Sequence, residues 1–283
     1  MADSVSASMA GALAPRKVNI VKRQHKYPEL CLDVYVSGPD IDTYGFSEMF
    51  VQSLCRGVGD PNDADIVVFT GGADVTPSLY NEKEHPSTFS DKYRDRDDIN
   101  LYNLCYEKGI PMVGVCRGAQ FLSVMNGGKL YQDVNKHHGA HLIRTTRDGH
   151  ILTTSSVHHQ MVRPNTSMGM EVLAVAPLSA SATSRWLNPT DELPGQMEDV
   201  EAFFYRDTLS LGFQGHPEYR GYEEYTAWCL KMIEHYLVNS VDVVLINKQY
   251  RLSQYNIDAR NEKRKASGFF YPSMFDLCLK EYH

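Results

Sequence analysis

Cys116 lies in a sequence pattern that can turn a thiol into a nucleophile. Glycines stand two residues to either side of it, in Gly114-Val-Cys-Arg-Gly118. An apolar run precedes this segment and an amphipathic run follows it, which predicts a sharp turn from a strand into a helix, the nucleophile elbow. Side chains at the two glycine positions would collide with their neighbours in such a turn. The free N–H groups at the helix start would then favour the thiolate over the thiol.

A partner for this thiolate is predicted about a hundred residues further along the chain, in Gln214-Gly-His-Pro-Glu218. The apolar run before it indicates an extended segment, in which positions i and i+2 project to the same side. Glu218 can therefore accept a hydrogen bond from one imidazole nitrogen of His216 and leave the other nitrogen facing the sulfur. A nucleophile, a base and a group that orients the base form a catalytic triad. We predict that Cys116, His216 and Glu218 take these roles.

Attack by Cys116 on a carbonyl group would create an oxyanion, which needs hydrogen-bond donors. One predicted donor is the backbone N–H of Arg117, which follows the nucleophile and opens the helix. The second is predicted at Gly72, in the Gly71-Gly72 loop, because residues without side chains let the backbone approach a substrate closely. This chemistry needs no metal or organic cofactor.

The elements that must hold these residues alternate between strands and helices as far as residue 127. Apolar runs at 65–70 and 111–115 are typical of buried parallel strands, and apolar spacing predicts helices at 97–108 and 117–125. This alternation predicts an α/β fold with a mostly parallel central sheet and helices on both faces. A smaller antiparallel region is expected next, with strands near 152 and at 172–176, 182–186, 200–205 and 209–214, and a closing helix at 222–237.

The composition of the chain limits the classes of function that it can have. The 283 residues carry a formal net charge of −7, which does not favour general binding to nucleic acid or to anionic membranes. No apolar run reaches the roughly 18 residues that a membrane span needs. The six cysteines are scattered without a Cys-x-x-Cys pair, so neither a disulfide framework nor a zinc ribbon is predicted, and a reducing cytoplasm fits best.

Three parts are expected along the chain: a disordered tail at 1–16, a catalytic domain at 17–239 and a C-terminal extension at 240–283. The extension has six basic and two acidic residues between Lys248 and Lys265, a local charge of +4. Two interpretations of it stay open, a solvated surface helix followed by packed aromatic residues, or a docking surface for a partner. The sequence does not predict the oligomeric state.

Several motifs, in one order along the chain, resemble the class I glutamine amidotransferase superfamily. They are Thr70-Gly-Gly-Ala-Asp-Val-Thr-Pro77, Tyr80, Arg96-Asp97, Gly114-Val-Cys-Arg-Gly-Ala-Gln120 and Gly127-Gly-Lys-Leu-Tyr-Gln-Asp133. Ser155-Ser-Val-His-His-Gln160 and Gln214-Gly-His-Pro-Glu218 look most like the γ-glutamyl-γ-aminobutyrate hydrolase branch, also called peptidase C26. The resemblance covers roughly residues 60–237. It implies a flavodoxin-like, class I glutamine amidotransferase-like fold, the same Cys–His–Glu triad, and a small-molecule substrate, glutamine or a γ-glutamyl amine.

The same resemblance implies that Gly71, Gln120, His159 and Gln160 hold the γ-glutamyl group of the substrate. In two places the chain departs from the branch's pattern.

At the first, Gly215 stands where the branch has a bulky aromatic residue before the catalytic histidine. At the second, Ser155 stands where the branch has asparagine. A smaller residue beside His216 suggests a roomier pocket.

Two further polar segments are interpreted as structural. Asp74 is expected to brace the Gly-Gly loop by accepting backbone N–H groups. The run Tyr93–Asp98 is expected to be the solvated start of a helix, with Arg96-Asp97 as a brace at the pocket mouth.

The segment His137-His138-Gly-Ala-His141 has a spacing that could bind a metal. No carboxylate or cysteine is positioned locally in the sequence as a further ligand. We therefore expect these histidines at the surface or at the rim of the active site and predict no metal site. His158 is expected to line the substrate pocket.

Together these features predict a free-standing hydrolase that cleaves γ-glutamyl amides through a cysteine thioester. An alternative is the glutaminase component of an amidotransferase, which would pass ammonia to a separate synthetase that docks on the C-terminal extension. A third is a binding or regulatory module that kept the fold and lost the chemistry. The intact Cys116, His216 and Glu218 favour an enzyme.

Overall fold

The computed structural model describes residues 26–38, 40–134, 137–176 and 198–238. The predicted tail at 1–16, the predicted strand at 182–186 and the predicted extension at 240–283 lie outside the described residues.

Within the described residues, a nine-stranded sheet carries the fold, and a two-stranded sheet stands apart from it. The strands are β1 (Asp33–Ser37), β2 (Arg56–Gly57), β3 (Ile66–Phe69), β4 (Met112–Val115), β5 (Leu130–Tyr131), β6 (His141–Thr145), β7 (Ile151–Thr154), β8 (Met161–Val162), β9 (Met170–Ala176), β10 (Asp199–Tyr205) and β11 (Ser210–Phe213). The helices are α1 (Asp40–Val51), α2 (Lys92–Lys108), α3 (Arg117–Met125) and α4 (Glu223–Ile233), which continues as a π turn over Glu234–Val238.

The large sheet changes character halfway across. In the order β2-β1-β3-β4-β11 all neighbours pair in parallel. From β11 the order continues β10-β9-β6-β7, and all these pairs are antiparallel. The predicted antiparallel region is therefore present, and it extends the central sheet rather than forming a separate layer. β5 and β8 make the small antiparallel sheet.

Alternating side chains of the buried parallel strands build two cores, one on each face of the sheet. Ile66 and Val68 pack with α1 and α4 on one face. Val67 and Phe69 pack with α2 and α3 on the other. Successive residues of a strand point to opposite faces, so a continuous apolar run is what a sheet covered on both sides requires. The predicted α/β class with helices on both faces is confirmed.

Most predicted elements occur within a few residues of their predicted bounds, and α3 matches to the residue. α2 is the main exception, because it begins at Lys92 rather than near residue 97. Asp91 caps it by accepting hydrogen bonds from the backbone N–H groups of Tyr93 and Arg94. The charged run is thus helical from its beginning.

Among the helices of the described residues, none combines the length and the apolar character that crossing a membrane would require.

Candidate active site

Cys116 lies between the carboxyl end of β4 and the start of α3, with φ 53° and ψ −112°. An ordinary side chain rarely adopts this conformation, and such strain is typical of functional positions. The two flanking glycines make the turn possible. A Cβ atom on Gly118 would lie 2.0 Å from the carbonyl oxygen of Phe69, and one on Gly114 would lie 2.4 Å from the carbonyl oxygen of Gly118. The geometry is therefore that of a nucleophile elbow.

The structure brings His216, Glu218 and Cys116 together at this edge of the sheet. Nδ1 of His216 is 2.7 Å from Oε1 of Glu218, so Nε2 is the nitrogen left for the sulfur. Gly71 lies next to the side chains of both His216 and Cys116. A Cβ atom there would lie 3.2 Å from Cε1 of His216 and 3.7 Å from Cβ of Cys116.

The electrostatics of this group favour a positively charged His216. Burial alone lowers the pKa of His216, but the interactions with Cys116 and Glu218 outweigh it and raise the pKa to about 10. Nε2 has no well-formed hydrogen bond within the described chain, although Cys116 is close enough to affect the pKa. Catalytic hydrogen bonds often tighten only when substrate binds. An imidazolium next to the sulfur favours the thiolate.

The backbone of His216 is fixed from the neighbouring loop. The hydroxyl of Ser155 accepts a hydrogen bond from the backbone N–H of His216 at 3.0 Å. Tyr219 stacks on the imidazole, with ring centroids 4.4 Å apart, and Thr226 donates to the carbonyl oxygen of Pro217 at 2.6 Å. Sequence reasoning treated Ser155 only as a departure from a family pattern. Its contact joins segments 61 residues apart, which no local pattern reveals.

The expectation of a roomier pocket at Gly215 is wrong. A Cβ atom on Gly215 would lie 2.0 Å from Oγ1 of Thr154 and 2.9 Å from the carbonyl oxygen of Ser155. The end of β7 occupies the space that a larger side chain would need. The absence of a side chain at Gly215 therefore allows β7 to pack closely against the segment that carries His216.

Substituting Gly215 tests this packing. We expect Gly215→Ala to lower the free energy of unfolding by about 1–3 kcal/mol, because the added methyl group meets backbone as well as a side chain. Chemical denaturation measures the change. Gly59→Ala is the matched control, since a Cβ atom there meets nothing within 4 Å. Equal stability of the two variants would contradict the account of the pocket.

The Arg117 side chain points into a buried ion-pair network between α3 and α2. Its guanidinium contacts Asp95 at 2.5 Å and also pairs with Asp98. Asp95 is 3% exposed and Asp98 is 1% exposed. Burial raises the pKa of Asp95, and Arg117 opposes this shift. The interpretation of the charged run as a solvated helix start is therefore wrong for these two aspartates.

The predicted brace Arg96-Asp97 has a different position from the one expected. Both side chains are more than half exposed and pair only weakly with each other, at 3.2 Å. Helical periodicity explains the difference, because positions 95 and 98 share one face of α2 while 96 and 97 turn away from it. The brace for α3 is formed by Asp95 and Asp98.

The two predicted oxyanion donors follow β3 and β4, which are neighbouring strands of the parallel half of the sheet. Arg117 is the first residue of α3. Gly72 follows Gly71 with φ 134°, a backbone conformation that favours glycine. Their role as donors stays a prediction.

Two of the predicted substrate-binding residues contact each other. Nε2 of Gln120 donates to the carbonyl oxygen of Gln160 at 2.8 Å and lies 3.4 Å from Oε1 of Gln214. The amide nitrogen of Gln120 is therefore engaged with the protein. The side-chain amide of Gln160 is buried and has no hydrogen-bond partner in the described part of the chain, which leaves both of its atoms for a ligand.

His159, the remaining predicted substrate residue, is partly buried between two carboxylates. Its Nε2 is 3.1 Å from Asp74 and its Nδ1 is 3.6 Å from Asp133. The hydrogen bond that His159 donates to Asp74 raises the pKa of His159, although burial opposes the shift. Asp74 also accepts the backbone N–H of Phe89 at 2.8 Å. The expected brace thus ties the Gly-Gly loop to His159 and to the segment before α2.

His137 and His158 are buried next to each other. His137 is 0% exposed and His158 is 5% exposed, and their rings stack with centroids 4.8 Å apart. The expectation of surface or rim positions holds for the exposed His138 and is wrong for His137.

The fold and the elbow cysteine define a class I glutamine amidotransferase-like protein. Residues 62–218, more than half of the chain, match the family model for peptidase C26. The chain belongs to the peptidase C26 family.

Similarity to individual proteins is more limited. The chain is 44% identical over 73 residues to the glutamine amidotransferase-like protein YvdE of Lactococcus lactis, a match that covers 25% of this chain and 31% of that protein. It is 31% identical over 113 residues to the carbamoyl phosphate synthase small chain of Ralstonia nicotianae, covering 40% of this chain and 25% of that one. The chain thus spans less than a third of the length of these two relatives.

A glutamine amidotransferase from Thermotoga maritima, known from its crystal structure, aligns over 83% of this chain and 96% of its own. The sequence identity is 15% and the TM-score is 0.45.

Proposed function

We propose that this protein hydrolyses γ-glutamyl amide bonds, with Cys116 as nucleophile, His216 as acid and base, and Glu218 as the group that orients His216. The observation that supports this most strongly is the strained elbow cysteine beside a buried His216 that is hydrogen-bonded to Glu218 at 2.7 Å. Membership of the peptidase C26 family gives further support to the proposal, because proteins similar to this chain are named as glutamine amidotransferases.

The proposed reaction has two halves. The Cys116 thiolate attacks the γ-carbonyl carbon, and the N–H groups of Arg117 and Gly72 stabilise the oxyanion. The imidazolium of His216 gives its proton to the departing amine, which leaves a γ-glutamyl thioester and a neutral imidazole. That imidazole takes a proton from water, which attacks the thioester and releases glutamate. The thiolate and the imidazolium are thereby restored.

The unpaired side-chain amide of Gln160 supports a role in binding the γ-glutamyl group, because both of its atoms are buried without a partner among the described residues. A γ-glutamyl group offers a carboxylate and an ammonium that need such partners. We propose Gly71, Gln120 and His159 as further walls of this site.

A release assay tests the proposed function. Purified full chain is given glutamine and a panel of γ-glutamyl amines, and free glutamate is measured. We expect steady turnover of at least one γ-glutamyl amine without any added protein. Absence of glutamate release from every compound, with folded protein, would contradict a free-standing hydrolase.

The second candidate is the glutaminase component of a larger enzyme. Its support is the similarity to a carbamoyl phosphate synthase small chain, together with the basic stretch at 248–265 as a docking segment. This candidate predicts slow turnover of glutamine alone. It also predicts that truncation at residue 240 removes partner binding and leaves covalent labelling of Cys116 intact.

A reducing cytoplasm is part of the proposal, since Cys31, Cys55, Cys105, Cys116 and Cys229 are all free thiols.

The pH profile tests the role of Glu218. Its hydrogen bond and charge help to raise the pKa of His216 to about 10, so wild-type His216 keeps its proton well above neutral pH. We expect Glu218→Gln to move the alkaline limb of kcat/KM to lower pH by about one unit or more, because a favourable neighbouring charge is lost. The measurement is kcat/KM between neutral and strongly alkaline pH.

The exposed pair of His150 and Glu224, 3.2 Å apart, provides the matched control. Glu224→Gln removes the same kind of charge from a histidine at the surface, and the profile should stay unchanged. An unmoved alkaline limb in Glu218→Gln would show that Glu218 does not set the protonation of the catalytic base.

A further inference from the structure

A second cluster of titratable side chains lies buried in the antiparallel half of the sheet. It contains His137, His141, His158, Asp199 and Glu201. Glu201 lies on β10 where the register against β9 shifts, and such irregularities in a strand commonly redirect a side chain. The two histidine segments are joined by their backbones, since the N–H of His158 donates to the carbonyl oxygen of His137.

Three side chains in this cluster, those of His137, His158 and Glu201, each have an acceptor atom without a hydrogen-bond partner among the described residues. Nδ1 of His158 lies 2.8 Å from the carbonyl oxygen of Gln160 and must donate to it, so Nε2 keeps its lone pair. Nε2 of His137 lies 3.2 Å from a carboxylate oxygen of Asp199, which likewise leaves the lone pair on Nδ1.

Glu201 completes the set. Its Oε1 lies 2.9 Å from Nε2 of His141. Its Oε2, Nδ1 of His137 and Nε2 of His158 are all buried and have no hydrogen-bond partner within the residues that the structure describes. Buried polar atoms are rarely left unpaired, and three of them in one place, two imidazole nitrogens and a carboxylate oxygen, match the donor set of a metal site.

We propose that His137, His158 and Glu201 bind a divalent transition-metal ion, with Zn²⁺ as the best-fitting ion. One ligand atom from each residue lies within 4.8 Å of the other two. Zinc bonds of about 2.0–2.2 Å bring donors closer than this, so the side chains close in slightly when the ion enters. Three protein ligands leave the fourth tetrahedral position open to water.

Every proposed ligand already has the outer partner that metal sites use to orient their ligands. Asp199 holds His137, the carbonyl oxygen of Gln160 holds His158, and His141 holds Glu201. A dication would also offset the buried negative charge of Glu201, which is 1% exposed.

The proposed site touches the wall of the candidate active site without sharing its reacting groups. The carbonyl oxygen of Gln160 accepts from both His158 and Gln120. A bound ion would therefore fix the loop that carries His159 and Gln160. The proposal does not depend on the proposed hydrolase activity, because its readout is metal binding alone.

Equilibrium dialysis of the chelator-treated full chain against Zn²⁺ tests the site. We expect one ion per chain at micromolar or lower free Zn²⁺, and a rise in Tm when Zn²⁺ is added. Replacement by Co²⁺ should give visible absorption bands of a tetrahedral nitrogen and oxygen site, without the charge-transfer band of a thiolate ligand. This measurement needs no variant, so a misfolded mutant cannot obscure it.

Substitutions of single residues test which side chains bind the ion. His158→Gln and Glu201→Gln should each abolish stoichiometric binding, and Asp199→Asn should weaken it about 10–100-fold through the loss of an outer partner. His150→Gln, at an exposed histidine, should bind normally. Cys116→Ala should also bind normally, which separates this site from zinc held by the nucleophile.

No stoichiometric Zn²⁺ or Co²⁺ in the wild-type chain would overturn the proposal, and the five side chains would then form a metal-free hydrogen-bonded cluster. A thiolate charge-transfer band, or loss of the ion in Cys116→Ala, would equally overturn it.

Discussion

Cys116→Ala is expected to reduce glutamate release from the preferred γ-glutamyl substrate by on the order of 10⁴-fold or more, because the proposed covalent intermediate forms on the sulfur that this substitution removes. Binding of the substrate should change far less, since the methyl side chain leaves the elbow and the pocket intact. Steady-state rates and a direct binding measurement, such as calorimetry, separate the two effects.

Cys31→Ser is the matched control for this substitution, because Cys31 is an exposed free thiol. Its turnover should equal that of the wild type. If Cys116→Ala kept more than a small fraction of wild-type turnover, Cys116 would not be the nucleophile.

Arg117→Met is expected to lower the free energy of unfolding by about 3–5 kcal/mol, since it leaves the buried Asp95 without its cation and leaves the buried Asp98 with Arg94 alone. The guanidinium contacts both Asp95 and Asp98 and is itself 2% exposed. Arg117→Lys should restore only part of the loss, because an ammonium cannot pair with both carboxylates in a fixed fork. Urea denaturation measures these differences.

Arg96→Ala is the matched control, on the exposed side of α2, the helix that carries Asp95 and Asp98. Its pair with Asp97 is largely solvated, and its loss should change stability by no more than about 0.5 kcal/mol. A similarly small effect of Arg117→Met would mean that α2 and α3 are held together by their apolar contacts alone.

The parts of the site that the sequence predicts are those encoded locally. The apolar run before Cys116, the glycines beside it and the helix after it are contiguous, and the bounds of α3 are predicted to the residue. His216 and Glu218 are two positions apart, so their hydrogen bond also follows from local geometry. The roles of these residues in catalysis stay predictions.

Contacts between distant segments could not be predicted in this way. Arg117 pairs with aspartates 19 and 22 residues earlier, and only the true start of α2 places positions 95 and 98 on its inner face. Glu201 reaches His141 across 60 residues, because β10 and β6 both flank β9 in the sheet. A local search for a carboxylate beside the histidines could not find it.

Gly215 illustrates a second reason why the sequence alone could not predict the structure of the site. Its sequence context allows either an empty space or a close contact, and only the position of Thr154 on β7 decides between them.

Covalent catalysis by Cys116 can be observed by mass spectrometry after incubation with an electrophilic glutamine analogue such as a γ-glutamyl chloromethyl ketone. We expect one adduct per chain, located on the peptide that contains Cys116, in the wild type and in Cys31→Ser, and no adduct in Cys116→Ala. A folded wild-type protein that carries no adduct on Cys116, or that carries it on another cysteine, would show that Cys116 is not the nucleophile.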